Sequence, residues 1–208
     1  MIYTNRVKGC FIIKQLANKI YDFVVDDAVE EIGNSKHGLH CLIVYPNLET
    51  FRVFYSKYIE RQINKENEII LFCPFYETVG TARRNLSMKQ IHTDELQYER
   101  DVSLIIFDSL DQYFGKMSVR EFIGRLVEFS VEDKKKYGVS ILSDMGCFFF
   151  KMRHRQLMDY EFSLPVQFDM PLKGLCVYNE LDFDNRLSDE QKLDMVNHHG
   201  LSIRLQSV

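Results

Sequence analysis

Hydrophobic residues in this chain gather in short, nearly unbroken runs, and between the runs they recur at helical spacing. The runs are Leu39–Tyr45, Glu68–Cys73, Val102–Phe107, Val139–Ser143 and Leu172–Tyr178. A short apolar run without alternation reads as a strand buried on both faces, as inside a parallel sheet. Val102–Phe107 stops abruptly at Asp108-Ser109, so it is expected at the centre of the sheet, with that pair capping the next helix. Pro46 and Pro74 end the first two runs, since proline cannot continue a central ladder.

The segments between the runs read as helices. Leu48–Asn64 places Phe51, Phe54, Tyr55, Tyr58, Ile59 and Ile63 on or beside one face. Thr78 caps a helix through Leu86, and Asp94–Arg100 is a weaker helical stretch. Gln112–Met117 reads as a loop. Ser118 and Glu121 make a capping box for a long helix to about Tyr137, which Gly138 ends. Lys151–Ser163 is helical and is stopped before Pro165. Ser188 and Gln191 open a last helix that ends near His198-His199-Gly200, and Leu201–Leu205 adds an edge strand. Ahead of the first run, Ile13, Leu16, Ile20, Phe23 and Val24 predict a helix over 11–32, with Asp26-Asp27 able to start a second short one. Strand–helix alternation of this kind implies a three-layer α/β domain over 37–208, its sheet mainly parallel with helices on both faces. An N-terminal helical extension over 1–36 precedes it.

Composition narrows the function classes. The 208 residues carry a net charge of −4, which gives no basic footprint and argues against direct nucleic-acid binding. No run approaches the roughly 20 apolar residues of a membrane span. With no secretory signal in Met1–Gly9, the expected location is cytoplasmic. The cysteines number five and include no Cys-x-x-Cys pair, so they read as buried thiols rather than as a zinc site. No metal and no cofactor are expected. Adjacent histidines diverge on a helix, so His198-His199 does not offer two ligands to one ion. His40 stands at the start of its strand, where a satisfied strand histidine is the simpler reading.

Ligands of open α/β sheets sit beyond the carboxyl ends of the strands. Parallel strands would bring Tyr45, Asn47, Phe75, Tyr76, Glu77, Asp108, Ser109, Asp144 and Tyr178 to one rim, aromatic and acidic, suited to a small organic ligand. A triphosphate is a poor fit. Pro46-Asn47-Leu48-Glu49-Thr50 after the first strand has neither the glycines nor the lysine of a phosphate loop. There is no Gly-x-Ser-x-Gly elbow either, and no catalytic residue is assigned.

His40–Tyr45, the following helix and Asn67–Leu71 resemble the start of the MEDS domain, the sensory domain of methanogens and methylotrophs. Leu175–Tyr178, Arg186-Leu187-Ser188 and His198-His199-Gly200 are similar to its end. Phe107-Asp108-Ser109-Leu110 resembles the second nucleotide motif of RecA/KaiC-type ATPases, of which MEDS domains are regarded as degenerate relatives without the phosphate loop. The resemblance implies a non-catalytic sensory or gene-regulatory domain that binds a small organic ligand and passes the signal to a partner; lysine-rich helices and the absence of tryptophan would suit an archaeal protein. Two alternatives stay open. Glu77, Asp108 and Asp144 could hold magnesium for weak nucleotide binding or hydrolysis. The N-terminal helix could instead mediate assembly with a protein partner or a second copy.

Overall fold

The computed structural model describes residues 19–98, 102–116 and 118–208. All seven strands are parallel: β1 (Tyr21–Phe23), β2 (His40–Tyr45), β3 (Ile69–Cys73), β4 (Leu104–Ile106), β5 (Val139–Asp144), β6 (Leu172–Asn179) and β7 (Leu201–Leu205). Their order across the sheet is β1-β7-β2-β6-β5-β3-β4. Every residue of β2, β3 and β5 is buried, as their unbroken apolar runs require.

Alternate residues of each strand serve different layers. Cys41, Ile43, Tyr45, Ile70, Phe72, Leu142, Leu175 and Val177 face one side. There they pack with helices α1 (Val25–Asn34), α2 (Leu48–Arg61) and α3 (Val79–Met88), while α4 (Thr93–Tyr98) adds Leu96 at the margin. The other side carries two separate apolar clusters. One joins Leu42, Val44, Cys176 and Tyr178 to α7 (Gly146–Phe150), α8 (His154–Ser163), α9 (Glu180–Arg186) and α10 (Asp189–His198), with Tyr113 and Phe114 of α5 (Ser109–Phe114) against it. The second joins Ile69, Leu71, Val139, Ile141 and Leu172 to Leu126 and Val127 of α6 (Val119–Glu128).

Several expectations are corrected. The run at Val102–Phe107 is not central: β4 is the last strand, only three residues long, and pairs with β3 alone. An edge strand can be this apolar when helices cover both its faces. The described part of the N-terminal extension is not wholly helical either. Tyr21–Phe23 is an edge strand on β7, where aromatic residues suit the ladder, and helix begins at Val25 among the described residues. Residues 11–18 lie outside the described residues. The long helix from Ser118 ends as α-helix at Glu128 and continues as a π-helical turn, Phe129–Asp133. The stretch Lys151-Met152-Arg153 is a turn with Met152 left-handed at φ 56°, so α8 starts at His154, while the unexpected α7 precedes it. Part of the expected 112–117 loop is instead the end of α5.

Candidate functional site

The carboxyl ends of the strands do share one edge of the sheet, because all run the same way. The polar groups there are mostly occupied. Asn47 caps α2 by accepting from Thr50 N at 2.9 Å, and Asp108 caps α5 by accepting from Leu110 N at 2.8 Å. Tyr45 donates to Asp144 Oδ2 at 3.1 Å, and Asp144 Oδ1 accepts from Gly146 N at 3.0 Å. Burial pushes the Asp144 carboxyl up to about 7, against these two hydrogen bonds. The Tyr76 hydroxyl donates to Asp182, which also pairs with Arg186 at 3.0 Å. Phe75 packs edge-on against Tyr76. Glu77 accepts from Arg52 at 3.1 Å and Asn85 at 2.9 Å. Ser109 is buried.

Tyr45, Phe75, Tyr76 and Asp144 are thus brought together, and Asn47 and Asp108 serve helix starts. Tyr178 faces the other layer, where its hydroxyl donates to Glu161. Glu77, Asp108 and Asp144 do not form a cation cluster among the described residues. Strand order explains this for Asp108. Two inter-strand steps separate β4 from β5, which ends at Asp144, about 10 Å at ~4.8 Å each. The carboxylate that reaches the end of β2 is Asp144.

A large cavity lies elsewhere among the described residues. About 640 Å³ opens between the two apolar clusters of the second face, below α6 and α8. Its floor is Ile141, Ser143, Leu172, Gly174 and Cys176 of β5 and β6, its roof includes Ile123 and Gly124, and Tyr113, Tyr160 and Phe168 close its sides. Two glycines line it. A Cβ on Gly174 would come within 2.9 Å of the Phe168 ring, whereas one on Gly124 would meet nothing within 4 Å. Ser143 Oγ is buried in this floor without a hydrogen-bond partner. His40 reaches the same cavity from the start of β2.

None of the nine rim residues expected from the sequence lines this space. A rule about strand ends does not find a void under a helix. The available signal was weaker: Gly124 inside an otherwise amphipathic helix, and Gly174 inside a strand, each marking a place without a side chain. Compared with family models and with curated proteins, the chain matches none.

Proposed function

We propose that this domain is a ligand-binding regulatory module whose ligand is a small, largely apolar organic molecule held in the cavity between α6, α8 and strands β5 and β6. The cavity carries the reading. Its volume lies in the range of small-molecule sites, and its wall is apolar with a few polar groups, among them Ser143 Oγ. A sensory domain of MEDS type, as a RecA-like relative without a phosphate loop, is part of the same proposal. It draws support from the all-parallel sheet and from the glycine-free turn Pro46-Asn47 after β2. On this reading the rim, where Asn47 and Asp108 cap helices and Asp144 is held by Tyr45 and Gly146, is not the ligand site.

Thermal-shift screening of the chain with small apolar compounds, and with nucleotides for comparison, tests this. Melting should rise with the concentration of a binding compound. Gly124→Phe should keep the fold and abolish that rise, because its side chain enters open space. A library without a single stabilising apolar compound, or shifts of equal size in Gly124→Phe, would overturn the reading.

A further inference from the structure

Four donor side chains from four segments converge beside the cavity: His40 at the start of β2, Glu161 on α8, Cys176 in β6 and His199 between α10 and β7. All four are buried, and their donor atoms lie within 4.8 Å of one another. The surrounding hydrogen bonds decide which atoms face inward. His40 Nδ1 lies 3.0 Å from the Pro165 carbonyl and His199 Nδ1 lies 2.6 Å from the Met195 carbonyl. A carbonyl only accepts, so each Nδ1 carries the hydrogen, and in a neutral ring Nε2 is left with a bare lone pair.

Glu161 completes the arrangement. Its Oε1 accepts from the Tyr178 hydroxyl, and its Oε2 faces His199 Nε2 at 3.4 Å and His40 Nε2 at 3.6 Å. Neither contact has hydrogen-bond geometry, and both Oε2 and His199 Nε2 are without a hydrogen-bond partner. The lone pairs of Glu161 Oε2 and His199 Nε2 thus face each other with no hydrogen between them, and a cation placed there would hold both. The Cys176 thiol donates to His40 Nε2 at 3.6 Å. The two imidazole centroids are 4.0 Å apart.

The spacing suits a metal. Zinc bonds of about 2.0–2.3 Å in a tetrahedron set neighbouring donor atoms about 3.3–3.7 Å apart. The three contacts at 3.4, 3.6 and 3.6 Å match such edges. Backbone carbonyls on the outer ring nitrogens are the usual support of metal-bound histidines. We propose that His40, Glu161, Cys176 and His199 bind one divalent transition-metal ion, zinc by the character of the donors. Two imidazoles and a thiolate exclude the hard cations magnesium and calcium. Cys176 would bind as the thiolate, its proton released on coordination. The ion ties α8 and the entry to β7 onto β2 and β6. It also sits in the cavity wall, because His40 and Cys176 belong to both. The site stands whether or not an organic ligand fills the cavity.

The test uses the full chain, stripped of metal and titrated with zinc and with cobalt. Uptake of about one equivalent is expected, with intense tetrahedral ligand-field bands for cobalt and a sulfur-to-cobalt charge-transfer band. Cys176→Ser should remove the charge-transfer band and keep the ligand-field bands, and His199→Ala should weaken zinc binding at least about ten-fold. In case those variants do not fold, the wild-type chain decides the matter. Zinc should raise the melting temperature of the stripped protein and magnesium should not. Uptake below about half an equivalent at micromolar zinc, or melting that zinc leaves unchanged, overturns the proposal. So does a charge-transfer band that survives in a folded Cys176→Ser. None of these readouts involves an organic ligand, so failure here is distinct from failure of the cavity reading.

Discussion

Single residues in this fold act through what burial does to their charge. Asp144 is the clearest case. Its carboxyl sits near 7 in the folded protein and near 3.8 otherwise, because burial penalises the ionised form. Between those values the unfolded chain has released a proton that the folded chain keeps, so stability falls as pH rises from about 4 to about 7. Asp144→Asn should therefore flatten that part of the stability–pH curve and melt higher than wild type at pH 8, as denaturation across a pH series would show. Glu68 has the opposite sign. Burial alone would raise its carboxyl, but His37, Lys173 and Ser140 hold it at about 2, so its contribution is lost as pH falls below about 4 toward 2. Lys173 is 3.2 Å from Glu68, and both are buried. Lys173→Met should cost about 3–5 kcal/mol in a denaturant titration, by leaving a buried carboxylate short of its partner. At this scale the sequence was partly legible. Cys41, Cys73 and Cys176 lie buried and unpaired within strands, as their apolar surroundings implied. His198 and His199 diverge, the first to the Leu164 carbonyl and the second inward. The meeting of His40, Glu161, Cys176 and His199 was hidden because its donors come from segments far apart in the chain, and short-range ligand spacing is the only metal signal a single sequence offers.

Elements were read best where local chemistry decides them. The Ser188–Gln191 capping box is formed in both directions, and Ser118 and Thr78 cap α6 and α3. Ser188→Ala should cost about 1 kcal/mol of stability, measured by chemical denaturation. Boundaries failed where tertiary contacts take over. The expected helix over 151–163 starts late because Lys151–Arg153 turn back after α7, whose Phe148 and Phe149 are drawn into the core. The end of α6 gives way to a π-helical turn that no periodicity announces. Gly124 shows how such an element can serve a site. A glycine inside a helix costs about 1 kcal/mol relative to alanine, and this one lines the cavity. Gly124→Ala should therefore raise stability by about 0.5–1 kcal/mol while leaving most of the cavity open.

For the whole molecule, alternation of strand and helix made the parallel, doubly covered sheet legible, but strand order is set by pairings that no local pattern encodes. The run over 102–107 illustrates this: equal hydrophobicity serves a central strand or an edge strand with covered faces, and only the pairing with β3 alone makes it an edge. The N-terminal segment has the same lesson and a sharper consequence. If residues 1–32 formed a detachable assembly helix, their removal would change oligomeric mass and leave the fold intact. Instead β1 covers the outer edge of β7, and Val25, Ala28, Val29 and Ile32 of α1 are buried with Ile203 and Leu205 in the core. The two valines and the isoleucine alone contribute about 5–9 kcal/mol at ~1.5–3 kcal/mol each. That is comparable to the entire stability of an ordinary domain, about 5–15 kcal/mol. Deleting residues 1–32 should abolish the cooperative thermal transition followed by circular dichroism. A truncated chain that still melted sharply near the wild-type temperature would show that this segment is an appendage after all.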